Sequence, residues 1–115
     1  IGTDLFVTLA RLGGGTIPAD RPIDGIDVQT VLSGGNLAQR TVFWALDSES
    51  DLEFVIRKGD WKLFIDHEGK PRELYDLSVD PLEFFDQREK NPDVVAELMS
   101  RFERQRYLRS GALEK

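Results

Sequence analysis

The sequence predicts an α+β fold: a small antiparallel β-sheet of three or four strands covered by a long C-terminal helix, preceded by a short helix and a Gly/Pro-rich loop. Three observations carry this. Between residues 41 and 77, aromatic and β-branched side chains gather in short runs separated by polar turns, as strands joined by hairpins do. After residue 90 the apolar residues recur at spacings of three and four, the period of a helix with one buried face. Ahead of both, residues 13–35 are rich in Gly and Pro and read as loop.

Taken in order, Thr3 can cap a first helix of about three turns, in which Leu5, Phe6, Leu9, Ala10 and Leu12 fall at helical spacing and Gly13-Gly14-Gly15 ends it. In the loop that follows, Pro18 and Pro22 fix backbone angles, and only Ile26, Val28, Val31 and Leu32 suggest a helical turn. Thr41-Val42-Phe43-Trp44-Ala45-Leu46 and Glu53-Phe54-Val55-Ile56-Arg57 are strands. Lys58-Gly59-Asp60 is a tight reversal, after which Trp61, Leu63 and Ile65 point to one face and Lys62, Phe64 and Asp66 to the other. Residues 66–71 form a polar turn, and Glu73-Leu74-Tyr75-Asp76-Leu77 resumes a short strand. Asn91 is a good N-cap, Pro92 fits the first helical position and Asp93 suits the positive helix end. From there Val94, Val95, Leu98, Met99 and Phe102 form one stripe, in a helix expected to reach Leu108 or Arg109 with Gly111 just beyond it.

Composition narrows the function. Of 115 residues, 40% are apolar and 31% charged, ordinary for a globular domain and too apolar for a disordered tail. The net charge of -6, from 21 acidic and 15 basic side chains, repels polyanions. Arg101, Arg104, Arg106 and Arg109 are interleaved with Glu97, Glu103 and Glu114, so neither nucleic acid nor a membrane surface is an expected partner. Without cysteine there are no disulfides, thiolate metal sites or cysteine nucleophile. No apolar run approaches the ~20 residues that span a bilayer. A start at Ile1 rather than Met leads us to expect a processed or excised piece.

Searches for chemistry return little. Asp47-Ser48-Glu49-Ser50-Asp51 begins like a calcium loop, but Leu52 stands where Gly is needed and Lys58 where the bidentate Glu is needed. His67 is the only histidine, so no histidine pair can hold zinc, and no metal site is expected. Trp61 and Lys62 invite a reading as sugar-stacking and anion-holding residues. Alternation places Trp61 in the core with Leu63 and Ile65 instead, and leaves Lys62 an exposed strand residue. Phe43 and Trp44 lie on opposite faces of their strand, so one belongs to the core and the other faces outward. Asp76, Asp80 and Glu83 are close enough in sequence to suggest an acid–base pair, although Asp80-Pro81 is more simply a turn starter.

Four blocks, in this order, resemble the C-terminal region of the sulfatase family, arylsulfatases in the broad sense. Asp4-Leu5-Phe6-Val7-Thr8-Leu9 is similar to D-L-x-P-T-L, with Val7 at the proline position, and residues 23–34 are similar to the D-G-x-S-L…L-x-G segment. Val55-Ile56-Arg57-Lys58-Gly59-Asp60-Trp61-Lys62-Leu63 resembles V-R-x-G-x-[WY]-K-L. Glu73-Leu74-Tyr75-Asp76-Leu77-Ser78-Val79-Asp80-Pro81-Leu82-Glu83 resembles E-L-Y-D-L-x-x-D-P-x-E, after which Phe84-Phe85-Asp86-Gln87 replaces the usual N-L.

The resemblance implies that residues 1–38 end a catalytic α/β domain lying upstream and that residues 39–115 form the C-terminal subdomain, a β-meander plus helix. It implies a parent that hydrolyses sulfuric esters with a formylglycine, made from Cys or Ser in C/S-x-P-x-R, and a calcium ion. Neither belongs to this stretch: the nearest match, Thr16-Ile17-Pro18-Ala19-Asp20-Arg21, has the wrong first residue and its Arg one position late. No catalytic residue is therefore expected here. The expected partner is the missing N-terminal catalytic domain, with self-association through Leu5, Phe6 and Leu9 as a second possibility. By the same resemblance the loop of residues 66–71 reaches the rim of the substrate cleft, making His67 and Lys70 the substrate-rim candidates. The alternative function is a stand-alone binding module for sulfated glycans that uses Trp61, Lys62 and the His67 loop. The resemblance is compatible with a periplasmic, secreted or lysosomal location.

Overall fold

The structure, a computed structural model, describes residues 1–45 and 52–110, without the side chains of 52, 53 and 107–110. The predicted end of the first strand at Leu46, the calcium-like run 47–51 and the expected stop at Gly111 lie outside the described residues. The chain divides into two compact units, Ile1–Ala38 and Gln39–Lys115. None of the described helices is long and apolar enough to cross a membrane.

The first unit is helix α1 (Gly2–Leu12) with the loop that braces it and the single turn α2 (Gln29–Leu32). Thr3 lies inside α1 rather than capping it. Asp4 performs that task, its carboxylate accepting from the Ile1 amino nitrogen at 2.7 Å near the positive end of the helix. Asp4 also accepts from the Ile26 amide at 3.0 Å, and the Thr8 hydroxyl oxygen accepts from the Val28 amide at 3.1 Å. Asp4, Val7 and Thr8 are accordingly buried, while Leu5, Phe6, Leu9 and Leu12 remain more than half exposed. The side of α1 that the loop covers is thus its mixed one, and its large apolar side chains stay outward. Gly25 is required here, because a Cβ would meet the Thr3 carbonyl oxygen at 2.1 Å.

The second unit is an antiparallel meander in the order β1-β2-β3-β4, of β1 (Thr41–Ala45), β2 (Leu52–Lys58), β3 (Trp61–Asp66) and β4 (Pro71–Asp76), with α3 (Pro92–Ser110) packed on it. The β2–β3 turn is two residues long with Gly59 at φ 59°, a conformation glycine adopts without a Cβ penalty. It pairs Lys58 with Trp61 and Arg57 with Lys62. Pro71 opens β4, where a residue with no backbone N–H is tolerated at an edge. Alternation then sorts the sheet. Ile56, Leu63, Ile65 and Leu74 are fully buried against Leu98 and Phe102 of α3, with Phe43, Phe54 and Trp61 packed at the margin. The ring of Phe102 sits 5.8 Å from Phe43 and 5.2 Å from Phe54. Removing about this much apolar surface from water is the main driving force for a unit of this size.

Residues 77–90 carry the chain from β4 to α3 as a series of turns held by carboxylates. Asp86 Oδ1 accepts from the Leu74 amide at 3.0 Å and from the Arg88 amide at 2.8 Å, while Gln87 N–H donates to the Leu74 carbonyl at 2.7 Å. The outer edge of β4 is therefore occupied at Leu74. At the start of α3 the Asn91 side-chain Nδ2 donates to the Gln87 carbonyl at 3.0 Å, and the Asn91 carbonyl accepts from the Val95 amide at 3.2 Å.

Candidate functional site

The loop after β3 presents the two rim candidates. Asp66, almost fully buried at 7% exposure, organises it: its Oδ1 accepts from the Glu68 amide at 3.0 Å and the Lys70 amide at 2.8 Å, and its own amide donates to the Lys70 carbonyl at 2.9 Å. Gly69 adopts φ 82° to close the turn. His67 is thereby carried exposed on the loop. Lys70 is exposed and its ammonium is paired with the Glu68 carboxylate. The Lys70 amide, ahead of the other partners, holds the Asp66 carboxyl below its usual range, and the Lys70 ammonium does the same for Glu68. Glu68 in turn raises Lys70. The loop is thus a hydrogen-bonded turn that carries one imidazole, with the Lys70 charge offset by Glu68.

Of the glycan-binding set Trp61, Lys62 and His67, the first two lie on opposite faces of the sheet. Trp61 packs beside the buried cluster on the α3 side of the sheet, and Lys62 emerges on the other side. Nor is Lys62 the solvated residue that alternation alone suggests. Its ammonium bonds Glu83 at 2.7 Å and lies 4.6 Å from the Phe64 ring centre, with only 22% of its side chain exposed. Phe43 is the core member of its pair, and Trp44 is the outward one.

The three nearby carboxylates do not form an acid–base pair. Asp76 Oδ1 accepts from the Ser78 amide and hydroxyl at 3.0 and 2.6 Å. Asp80, 8% exposed, accepts from the Phe85 amide at 2.8 Å, and Glu83 is committed to Lys62. Asp76 and Asp80 each hold a turn, and Glu83 holds an ion pair. Arg21, the decoy in the nucleophile-like run, pairs with its neighbour Asp20 at 2.9 Å on the surface.

Sequence reading missed a second feature, a hollow of about 430 Å³ lined by Trp44, Arg57, Lys62, Leu77, Pro81 and Glu83. Its signal was present in part, since a two-residue turn at Gly59-Asp60 obliges Arg57 and Lys62 to face one another. Glu83 had no such signal. It sits at φ 60°, a left-handed conformation that costs a non-glycine residue roughly 1–2 kcal/mol.

With this geometry in place, the solved structures it matches can be compared. A Bacteroides thetaiotaomicron protein assigned as a sulfatase superposes with a TM-score of 0.67 at 26% identity, over 87% of this chain and 23% of that one. A 6S-sulfatase of the same organism's glycosaminoglycan metabolism gives 0.63 at 28% identity, over 87% and 23%. The chain is sulfatase-like. A 2-O glycosaminoglycan sulfatase agrees, with a TM-score of 0.64 at 26% identity over 93% and 24%. The sulfatase-like chain therefore spans about a quarter of the length of each sulfatase it matches, the share that a C-terminal region alone would cover. No family model and no curated protein matches the sequence.

A sulfatase parent implies calcium and formylglycine, and the donor set here fits neither. Among the described residues no three His, Cys, Asp or Glu side chains converge to hold a metal ion. Asp66, Asp76, Asp80 and Asp86 are instead bonded to backbone amides. The sequence also contains no C/S-x-P-x-R run whose Cys or Ser could be converted.

Proposed function

We propose that this chain is the accessory C-terminal portion of a sulfuric ester hydrolase, non-catalytic by itself, which completes the parent's fold and edges its substrate cleft. The observation that carries the reading is the likeness to sulfatases over almost the whole of this chain and about a quarter of theirs. In this reading residues 1–38 end the catalytic α/β domain and residues 39–115 form the C-terminal subdomain. The parent's calcium and formylglycine would be held by residues outside this stretch.

Two features support the division of labour. Leu5, Phe6, Leu9 and Leu12 leave an apolar row on α1 that suits burial against a larger body. The carboxylates of the second unit hold turns rather than facing one another as an acid and base. His67 is the rim contact we assign, exposed on a loop whose turn Asp66 holds by hydrogen bonds, with Lys70 beside it but neutralised by Glu68. Since two of the matched structures are described by glycosaminoglycans, a sulfated saccharide is the parent substrate to try first.

Two measurements test this. The upstream reading frame should encode a C/S-x-P-x-R motif and acidic metal ligands. Purified residues 1–115 should leave an aryl sulfate intact, and turnover at enzyme-like rates would overturn the non-catalytic reading.

A further inference from the structure

The face of the sheet turned away from α3 carries an arrangement that fold stability alone does not favour. Arg57 and Lys62 are direct register partners across β2 and β3, and like charges opposite one another destabilise a sheet. Relief comes from Glu83, which sits at φ 60° and meets the Lys62 ammonium at 2.7 Å. Arg57 is exposed and uses its Nε to donate to the Gly59 carbonyl at 2.9 Å. Trp44 stands in the next cross-strand row of the same face, opposite the buried Val55, and it lines the hollow together with both cations. Leu77 and Pro81 supply its apolar wall. Among the described residues that line it, two cations stand against one carboxylate. Glu73, also on this face, accepts from the Tyr75 hydroxyl at 3.0 Å.

We propose that this hollow binds a saccharide carrying an anionic group, either sulfate or carboxylate. An indole offers a flat apolar surface for a sugar ring, and a guanidinium beside an ammonium offers charge-assisted hydrogen bonds to an anion. Glu83 then acts as the internal carboxylate that the ligand's anion displaces from Lys62. This site is made from Trp44, Arg57 and Lys62, and it shares only Lys62 with the set the sequence suggested. It does not depend on the parent being a sulfatase, so failure here and failure of an upstream nucleophile motif are separate results.

The test is calorimetry on residues 1–115 with three tetrasaccharides: chondroitin sulfate, hyaluronan as the carboxylate-only probe, and neutral chitotetraose. The expected result is binding of one or both anionic probes, weakened by salt, with chitotetraose about tenfold weaker or silent. Equal binding of the two anionic probes would show that the carboxylate suffices, and tighter binding of chondroitin sulfate that the added sulfate contributes. Trp44→Ala and Arg57→Ala should each weaken binding about tenfold, while Glu83→Gln should strengthen it by freeing Lys62 from competition. Lys90→Ala, at an exposed cation outside the lining of the hollow, should change nothing, and circular dichroism checks that each variant is folded. Equal binding of the neutral probe, no binding of any probe, or a Glu83→Gln variant that binds no better than the native chain would each overturn the proposal.

Discussion

Phe102→Ala is the perturbation that most directly probes how the second unit is held together. Phe102 is fully buried, and its ring touches Phe43 and Phe54 at centroid distances of 5.8 and 5.2 Å. Truncating a phenylalanine in such a position costs about 3–5 kcal/mol. A unit of this size has roughly 4–12 kcal/mol in total, so at least about a quarter of its stability is at stake. With a urea slope of ~1 kcal/mol/M, the midpoint should fall by roughly 3–5 M. Trp44 and Trp61, the chain's two tryptophans, both lie in Gln39–Lys115, so their fluorescence during a urea titration reports this unit alone. Phe6→Ala, at a side chain 54% exposed, should shift that midpoint by no more than the ~0.5 kcal/mol of an ordinary surface change. A drop of under about 1 M for Phe102→Ala with an unchanged slope would mean that α3 is not the principal cover of the sheet.

Other perturbations separate hydrogen bonding from charge. Asp86→Ala should cost about 1–3 kcal/mol by leaving the Leu74 amide without its acceptor, whereas Asp86→Asn, which keeps a carbonyl oxygen, should cost much less; chemical denaturation of the pair decides. Burial and then the Glu73 bond push the Tyr75 phenol from 10.0 up to about 12. Because the folded value is raised, its contribution is complete below pH 10 and is lost as pH climbs toward 12. Ultraviolet titration in a Tyr107→Phe background should show this late ionisation, and Glu73→Gln should bring it earlier. Asp66 behaves oppositely: its folded value is depressed, so its support of the His67 loop is complete above 3.8 and is lost as pH falls below it. The Glu68 and Lys70 amide resonances should move together in that acid range, and Asp66→Asn should abolish the movement. If the apolar row on α1 drives self-association, Phe6→Ser should reduce the mass measured by light scattering, and a monomeric native chain would refute it.

Local periodicity made the elements legible. The alternation through Trp61, Leu63 and Ile65, and the stripe through Leu98 and Phe102, each follow from backbone geometry within one element. They led to a meander of three or four strands, of which the structure has four, and to a helix expected to end at Leu108 or Arg109, which runs to Ser110. Helix α1 was legible as a helix, but its cap was not. Thr3 and Asp4 are both acceptable near a helix start, and the link from Asp4 to Ile26 spans a loop whose path no local pattern specifies.

The sulfatase likeness was also written in the order of short blocks, because each block encodes a turn or strand that the fold reuses. The sequence by itself therefore determined the class of fold, the core faces and the family it resembles. Tertiary structure alone decided which of Phe43 and Trp44 enters the core, and that the Lys62 ammonium is matched by Glu83 twenty-one positions away. It also decided that Asp76, Asp80 and Asp86 serve turns rather than chemistry. The physical reason is distance along the chain: side-chain alternation is set by neighbours, whereas the meeting of Lys62 with Glu83 depends on the path of an irregular loop after β4.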